Sequence, residues 1–202
     1  MDFLDDGAQP DLDPGTAVGW VPTEGRGSAP FSLLHGESLV AVATWSLGQA
    51  GVEPLDFTTS WEELQARDAA LVLHDPLCAG TPATFLAEAV ASAVADDVVV
   101  VGVRPVTDTV TTVVDGRLGD TVDRDGLRAV TSPVVLPASV VGALRGLPVP
   151  AEGDPADLVA ALVETLGADR VVLLEGPPEG RRILDDSDRR LVEALLSPPP
   201  PG

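Results

Sequence analysis

The chain has 202 residues, with thirty-two Asp plus Glu against twelve basic residues, all arginine, and a formal net charge of −20. That length suits one domain with a sizeable core, and that charge excludes nucleic acid and anionic membrane surfaces as main partners, because both need a basic face. The single cysteine, Cys78, excludes an intramolecular disulfide and fits a reducing compartment.

Residues 1–16 form an acidic leader with Pro and Gly, expected to be disordered. It has no apolar h-region, and no apolar run reaches the ~20 residues that span a bilayer, so a cytoplasmic protein is expected. Ala17 to Pro22 reads as a short strand. Glu37 to Ala50 has helical spacing, with Leu39, Val42, Ala43 and Leu47 on one face. Trp61 to Arg67 reads as a short helix and Ala70 to His74 as a strand. Trp45 and Trp61 are expected in the core. Thr84 to Ala95 is a strong helix, and the Val-rich run Val98 to Val103 suits a strand covered on both faces. Thr109 to Val114 and Leu118 to Val122 flank Asp115-Gly116, a hairpin signal. Ala138 to Leu144 and Asp157 to Leu166 read as helices, with Pro155 near the start of the second. A strand follows at Arg170 to Leu174. Asp185 caps a last helix, Asp188 to Leu196, ahead of a Pro-rich tail, 197–202. Strands alternating with helices predict a mostly parallel α/β sheet, interrupted by the hairpin.

Individual residues admit bland readings. Asp75 and Asp108 end strands, where open α/β sheets bind ligands, yet strand-end caps look the same. His74 reads as a structural hydrogen-bonder, His35 as solvated, and Cys78 as a loop or buried thiol. Gly25-Arg26-Gly27 is either a phosphate loop or a plain strand-to-helix connection. No Cys/His cluster suggests zinc. The absence of Lys, Asn and Tyr fits GC-rich codon usage as well as selection.

Longer motifs carry a resemblance. Leu73-His74-Asp75, then Val103-Arg104-Pro105-Val106-Thr107-Asp108-Thr109, then Thr121 to Val130 with Asp123, Arg124, Leu127 and Ala129, stand in an order and spacing that resemble the methylerythritol-phosphate cytidylyltransferase family. Val21-Pro22-Thr23-Glu24-Gly25-Arg26-Gly27 looks like that family's Gly-rich opening. Gly36 to Leu39 and Arg181-Arg182-Ile183 through Asp188 resemble later segments. The resemblance covers about Ala17 to Leu196. It implies a Rossmann-like α/β/α nucleotidyltransferase fold, 17–196, with an arm subdomain at about 109–136 that makes a homodimer. Val134, Val135 and Leu136 are then expected against the second copy.

Carried over residue by residue, the resemblance implies a phosphate loop at Gly25 and Gly27. It places substrate-binding positions at Asp75, Asp108, Thr109 and Ser132, catalytic candidates at Arg26 and Arg182, and a Mg²⁺ ligand at Asp108 if the chain is active. Otherwise no cofactor is expected. Several family cations are replaced: Phe31, Cys78 and Thr111 stand where the family carries Lys or Arg, and Val134 where it carries Gln. The interval Gly51 to Ala70 is too short for the family's base-reading strand–helix–strand unit, which predicts a reduced sheet. The expectation is a degenerate, non-catalytic relative that binds a partner protein or a small ligand. The alternative is an active enzyme joining CTP to methylerythritol phosphate in isoprenoid precursor synthesis, with release of pyrophosphate. In the first case Asp75 and Asp108 face an empty cleft on one rim, with Arg182 the one cation that reaches it.

Overall fold

A computed structural model of the chain describes residues 12–13, 15–56, 58–107, 109–148 and 153–197. Most of the acidic leader, Asp108 and the Pro-rich tail after Ser197 lie outside the described residues. In chain order the elements are β1 (Ala17–Trp20), β2 (Leu33–Leu34), β3 (Glu37–Ser38), α1 (Leu39–Gln49), β4 (Glu53–Pro54), α2 (Trp61–Ala66), β5 (Ala70–Leu73) and α3 (Ala83–Asp96). They continue with β6 (Val99–Pro105), β7 (Val110–Val114), β8 (Arg117–Val122), β9 (Arg128–Leu136), α4 (Ala138–Ala143), α5 (Pro155–Leu166), β10 (Val171–Glu175) and α6 (Asp186–Leu196).

Six strands form one sheet in the order β10-β6-β9-β5-β1-β4. All neighbours are parallel except β9, which runs antiparallel to both β5 and β6. Alternating side chains feed two cores. Val18, Leu71, Leu73, Val99, Val101, Val134 and Leu136 pack with α4 and α5 residues such as Val140 and Leu162. Val72, Val100 and Val135 point the other way, toward Leu47 of α1 and Leu86, Ala89 and Val90 of α3. A layer of helices on each face is what a buried, Val-rich, mostly parallel sheet requires.

Three expectations need correction. Val134, Val135 and Leu136 are buried in the middle of the sheet rather than on an arm. Within that segment β7 and β8 alone pair as a two-stranded ladder apart from the main sheet, so the projecting hairpin is 110–122. Trp45 is 47% exposed on the outer side of α1 rather than in the core. Trp61 does pack on the core, and its indole N–H donates to the Leu144 carbonyl at 3.0 Å. Among its described residues, the interval between α1 and β5 yields the two-residue β4 and the one short helix α2, in keeping with its length. Helix α2 is started by a reciprocal capping box between Ser60 and Glu63.

The two sheet edges differ. β4 is two residues long and ends in Pro54. β10 carries four apolar residues in a row, with Val172 and Leu173 42% and 53% exposed.

At Gly102 the β6–β9 ladder shifts register. A Cβ there would lie 2.6 Å from the Ser132 carbonyl oxygen, so glycine lets β9 close onto β6 beside the end of β5. Gly102→Ala is expected to lower stability by about 1–3 kcal/mol, read from the urea midpoint. An unchanged midpoint would mean that the two strands do not close here.

Candidate functional site

The site lies at the carboxyl ends of β1 and β5, where a parallel sheet presents its loops. Three segments build it. The loop after β1 holds Arg26 between two glycines with positive φ, Gly25 at +71° and Gly27 at +58°, a conformation costly for other residues. This turn carries the guanidinium inward, leaving the side chain only 5% exposed.

The second segment follows β5. Asp75 caps the short turn Pro76–Cys78, its Oδ1 accepting the Leu77 N–H at 3.0 Å. The third is the stretch before α6. The Ile183 N–H donates to the Leu77 carbonyl at 2.7 Å, and Ile183 is buried beside Leu77 and Leu39. That anchor sets Arg182 next to Asp75. Close packing supports it: a Cβ on Gly80 would lie 2.4 Å from the Glu179 carbonyl oxygen.

Both arginines converge on one carboxylate. Arg26 Nη1 lies 3.0 Å from Asp75 Oδ1, and Arg182 Nε lies 3.1 Å from Asp75 Oδ2. Neither contact is an aligned hydrogen bond, so the attraction is chiefly between charges. The side chain of Asp75 is 5% exposed, which strengthens that attraction relative to a surface pair. The expectation that Asp75 faces only Arg182 is therefore corrected; Arg26 opposes it too. Arg182 does reach the rim, as expected, and there it meets a carboxylate.

The start of α5 closes the site from above. Arg26 Nη2 donates to the Gly153 carbonyl at 3.4 Å, and Arg182 Nη1 lies 4.0 Å from Asp154 Oδ1. Pro155 and Leu158 of α5 join Pro22, Arg26, Asp75 and Thr131 around a hollow of about 20 Å³. That is room for one water-sized group.

Below the carboxylate, Ser132 from β9 lies against His74. Its Oγ is 2.6 Å from His74 Nδ1 and accepts the Asp75 N–H at 3.1 Å. Ser132 is 2% exposed; its hydroxyl serves the chain itself rather than facing a substrate. Burial pushes the His74 pKa down to about 4, so the ring is neutral at pH 7. Ser132→Ala is expected to cost about 1–3 kcal/mol, since it strips partners from a buried ring nitrogen and a buried N–H. Circular dichroism melts of the variant would test this, and an unchanged melt would remove the structural role. Burial, and then Asp75, hold the Cys78 thiol well above its ordinary range, opposed by Arg182 and Arg26. It is a protonated thiol and not a nucleophile.

Thr109 is exposed at the base of the hairpin, away from any contact with Asp75 among the described residues. Near it, Arg124 donates to the Thr107 carbonyl. Asp108, expected on the rim and as a metal ligand, lies outside the described residues. Among the described residues no group of three or more His, Cys, Asp or Glu could hold a metal ion. Asp75 with a guanidinium on each carboxylate oxygen does not fit Mg²⁺, which needs oxygen donors without competing cations. Gly153 and Asp154 escaped sequence reasoning because they belong to no motif; Asp154-Pro155 as a helix start was the available signal.

Comparison with known proteins gives consistent relatives. No family model matches the chain. It is 40% identical over 133 residues to the 2-C-methyl-D-erythritol 4-phosphate cytidylyltransferase of Frankia casuarinae, covering 64% of this chain and 48% of that one. It is 38% identical over 133 residues to the enzyme of the same name from Nocardia farcinica, covering 65% and 55%. The chain thus spans about half the length of the curated relatives it matches. Its fold is similar to a solved 4-diphosphocytidyl-2C-methyl-D-erythritol synthase, with TM-score 0.64, 16% identity, and 92% and 100% of the two chains covered. It is also similar to the 2-C-methyl-D-erythritol 4-phosphate cytidylyltransferase of Thermus thermophilus, with TM-score 0.63, 20% identity, and 89% and 98% covered. Among the described residues no helix is long and apolar enough to cross a membrane.

Proposed function

We propose that this chain, a member of the 2-C-methyl-D-erythritol 4-phosphate cytidylyltransferase family, is a non-catalytic relative that acts by binding. The observation that carries this reading is the occupation of both site arginines by Asp75. Transfer of a nucleotidyl group needs cations free to meet the charge that develops on the phosphates. Here a carboxylate of the chain takes that place, in a hollow the size of one water. Loss of even one such donor costs about 10²–10³ in rate. Phe31 and Cys78, at positions where the family carries cations, supply no replacement.

The protein is proposed to act in the cytoplasm as a homodimer joined through the β7–β8 hairpin. The hairpin exposes Val113, Val114 and Leu118, at 67%, 62% and 81%, more apolar surface than a free hairpin favours. A protein partner, rather than a nucleic acid or a membrane, fits the charge of −20.

One observation favours the active reading. The two arginines do meet at a single point beside the strand ends, as a phosphate site requires. A coupled assay for pyrophosphate release decides between the two. With CTP, methylerythritol phosphate and Mg²⁺, the wild-type chain is expected to release none above the blank, and calorimetry is expected to show no heat with millimolar Mg-CTP. Turnover that is lost in Arg182→Ala would overturn the non-catalytic reading.

A further inference from the structure

We propose that the first turn of α5 is a latch, held down by the two arginines that hold Asp75, and that an oxyanion reaching those arginines releases it. The proposal rests on the reading above, in which the arginine pair is occupied by the chain's own carboxylate. It adds that this occupation has a moving part.

The geometry separates strong from weak contacts. Asp75 is buried, capped into its turn and 3.0–3.1 Å from both guanidinium groups. Among the described residues, the contacts of these arginines to the α5 start are longer. Arg26 reaches the neutral Gly153 carbonyl at 3.4 Å, and Arg182 reaches Asp154 at 4.0 Å. The Asp154 side chain is 59% exposed, so water screens it. A phosphate-like anion offers each guanidinium a shorter, charge-assisted bond than either α5 contact.

Repulsion acts in the same direction. Asp154 Oδ1 sits 4.0 Å from Arg182 Nη1, so an anion arriving at Arg182 meets a like charge a few ångströms away. Asp75 is fixed from behind by Leu77 and Ser132, whereas among the described residues Asp154 meets only its own helix and Arg182. It caps its own helix through the Ala156 N–H at 2.9 Å and can move with it. Further along, Leu158 and Leu162 are buried in the core. Only the turn ahead of Leu158 lifts, and lifting it moves Pro155 off the hollow it lines.

Arrival of an anionic group and exposure of the α5 start are then one event. The device converts occupancy of the arginine pair into a change of surface that a binding partner can read.

Hydrogen–deuterium exchange of the full chain, followed by mass spectrometry on the peptide spanning 153–160, tests this. Inorganic phosphate is the probe, and chloride at equal ionic strength is the control. Phosphate is expected to speed exchange of the first-turn amides about fivefold, the effect of losing one weak exposed contact. Chloride is expected to leave it unchanged. In Arg182→Gln the turn exchanges fast from the start and phosphate adds nothing. Asp154→Ser keeps a capping hydroxyl but removes the charge contact, and it too is expected to raise the basal rate. Equal exchange in phosphate and chloride up to about 100 mM, a salt level at which surface charges are already screened, overturns the latch, as does an unchanged basal rate in both variants. The two proposals fail separately: turnover of CTP sinks the non-catalytic reading and leaves a phosphate-released latch standing, whereas static exchange sinks the latch alone.

Discussion

Asp75→Ala is expected to lower the unfolding free energy by about 3–5 kcal/mol, the usual cost of removing one partner from a buried charge group. The substitution leaves Arg26, 5% exposed, without the carboxylate that sits 3.0 Å from it. It leaves Arg182, 24% exposed, in the same position. It also removes the acceptor for the Leu77 N–H and so the cap of the turn that carries Cys78. Asp75→Asn keeps that acceptor and loses only the charge, so its loss is smaller than that of Ala. Guanidinium denaturation is unsuitable for a charge pair; urea midpoints give the comparison. A loss below about 1 kcal/mol for Asp75→Ala would place the pair among screened surface bridges and remove the basis for an internally neutralised site.

Acid should destabilise the fold through His74. Its pKa in the folded chain is about 4, lowered by burial from the ordinary 6.5. Between those values the unfolded chain binds a proton that the folded chain does not. Stability therefore falls as pH drops from 6.5 to 4 and levels off below, as far as this group is concerned. At about 1.36 kcal/mol per pKa unit the loss is about 3 kcal/mol. His74→Gln, which does not titrate, should flatten that part of the pH–stability curve. A wild-type curve that is flat from about pH 6.5 to about 4.5 would show that the ring does not lose its proton on burial. The structural cause is local. The ring is fully buried, its Nδ1 is engaged by Ser132, and its Nε2 has no hydrogen-bond partner among the described residues.

The sequence made most elements legible because their signals are local. Asp185 accepts the Ser187 and Asp188 N–H groups at 2.8 and 3.0 Å and starts α6, as its type and place foretold. Pro155 stands at the first position of α5. The Val-rich run became β6, covered on both faces. What failed was long-range. Val134 to Leu136 read as an arm because they follow the hairpin, but β9 returns antiparallel between β5 and β6. No spacing within that segment reports which neighbours it will pair with. Trp45 misled through its type: large aromatics favour burial, yet its helical position faces outward. At the site, motifs located Asp75, Arg26 and Arg182. They did not tell that both arginines meet one carboxylate, because that depends on Ile183 docking on Leu77.

The unlike edges of the sheet bear on how the chain stays dispersed. Natural sheets discourage strand-to-strand stacking with proline, short edge strands or charges that interrupt the exposed strand. β4 uses the first two; β10, with Val171 to Leu174 uninterrupted, uses none of them within its apolar run. The net charge of −20 opposes such pairing of two copies along β10. Such protection is set by the solvent rather than by the strand. Its reach contracts from about 10 Å at about 0.1 M salt to about 3 Å at about 1 M, so light scattering is expected to show association along β10 rising with salt.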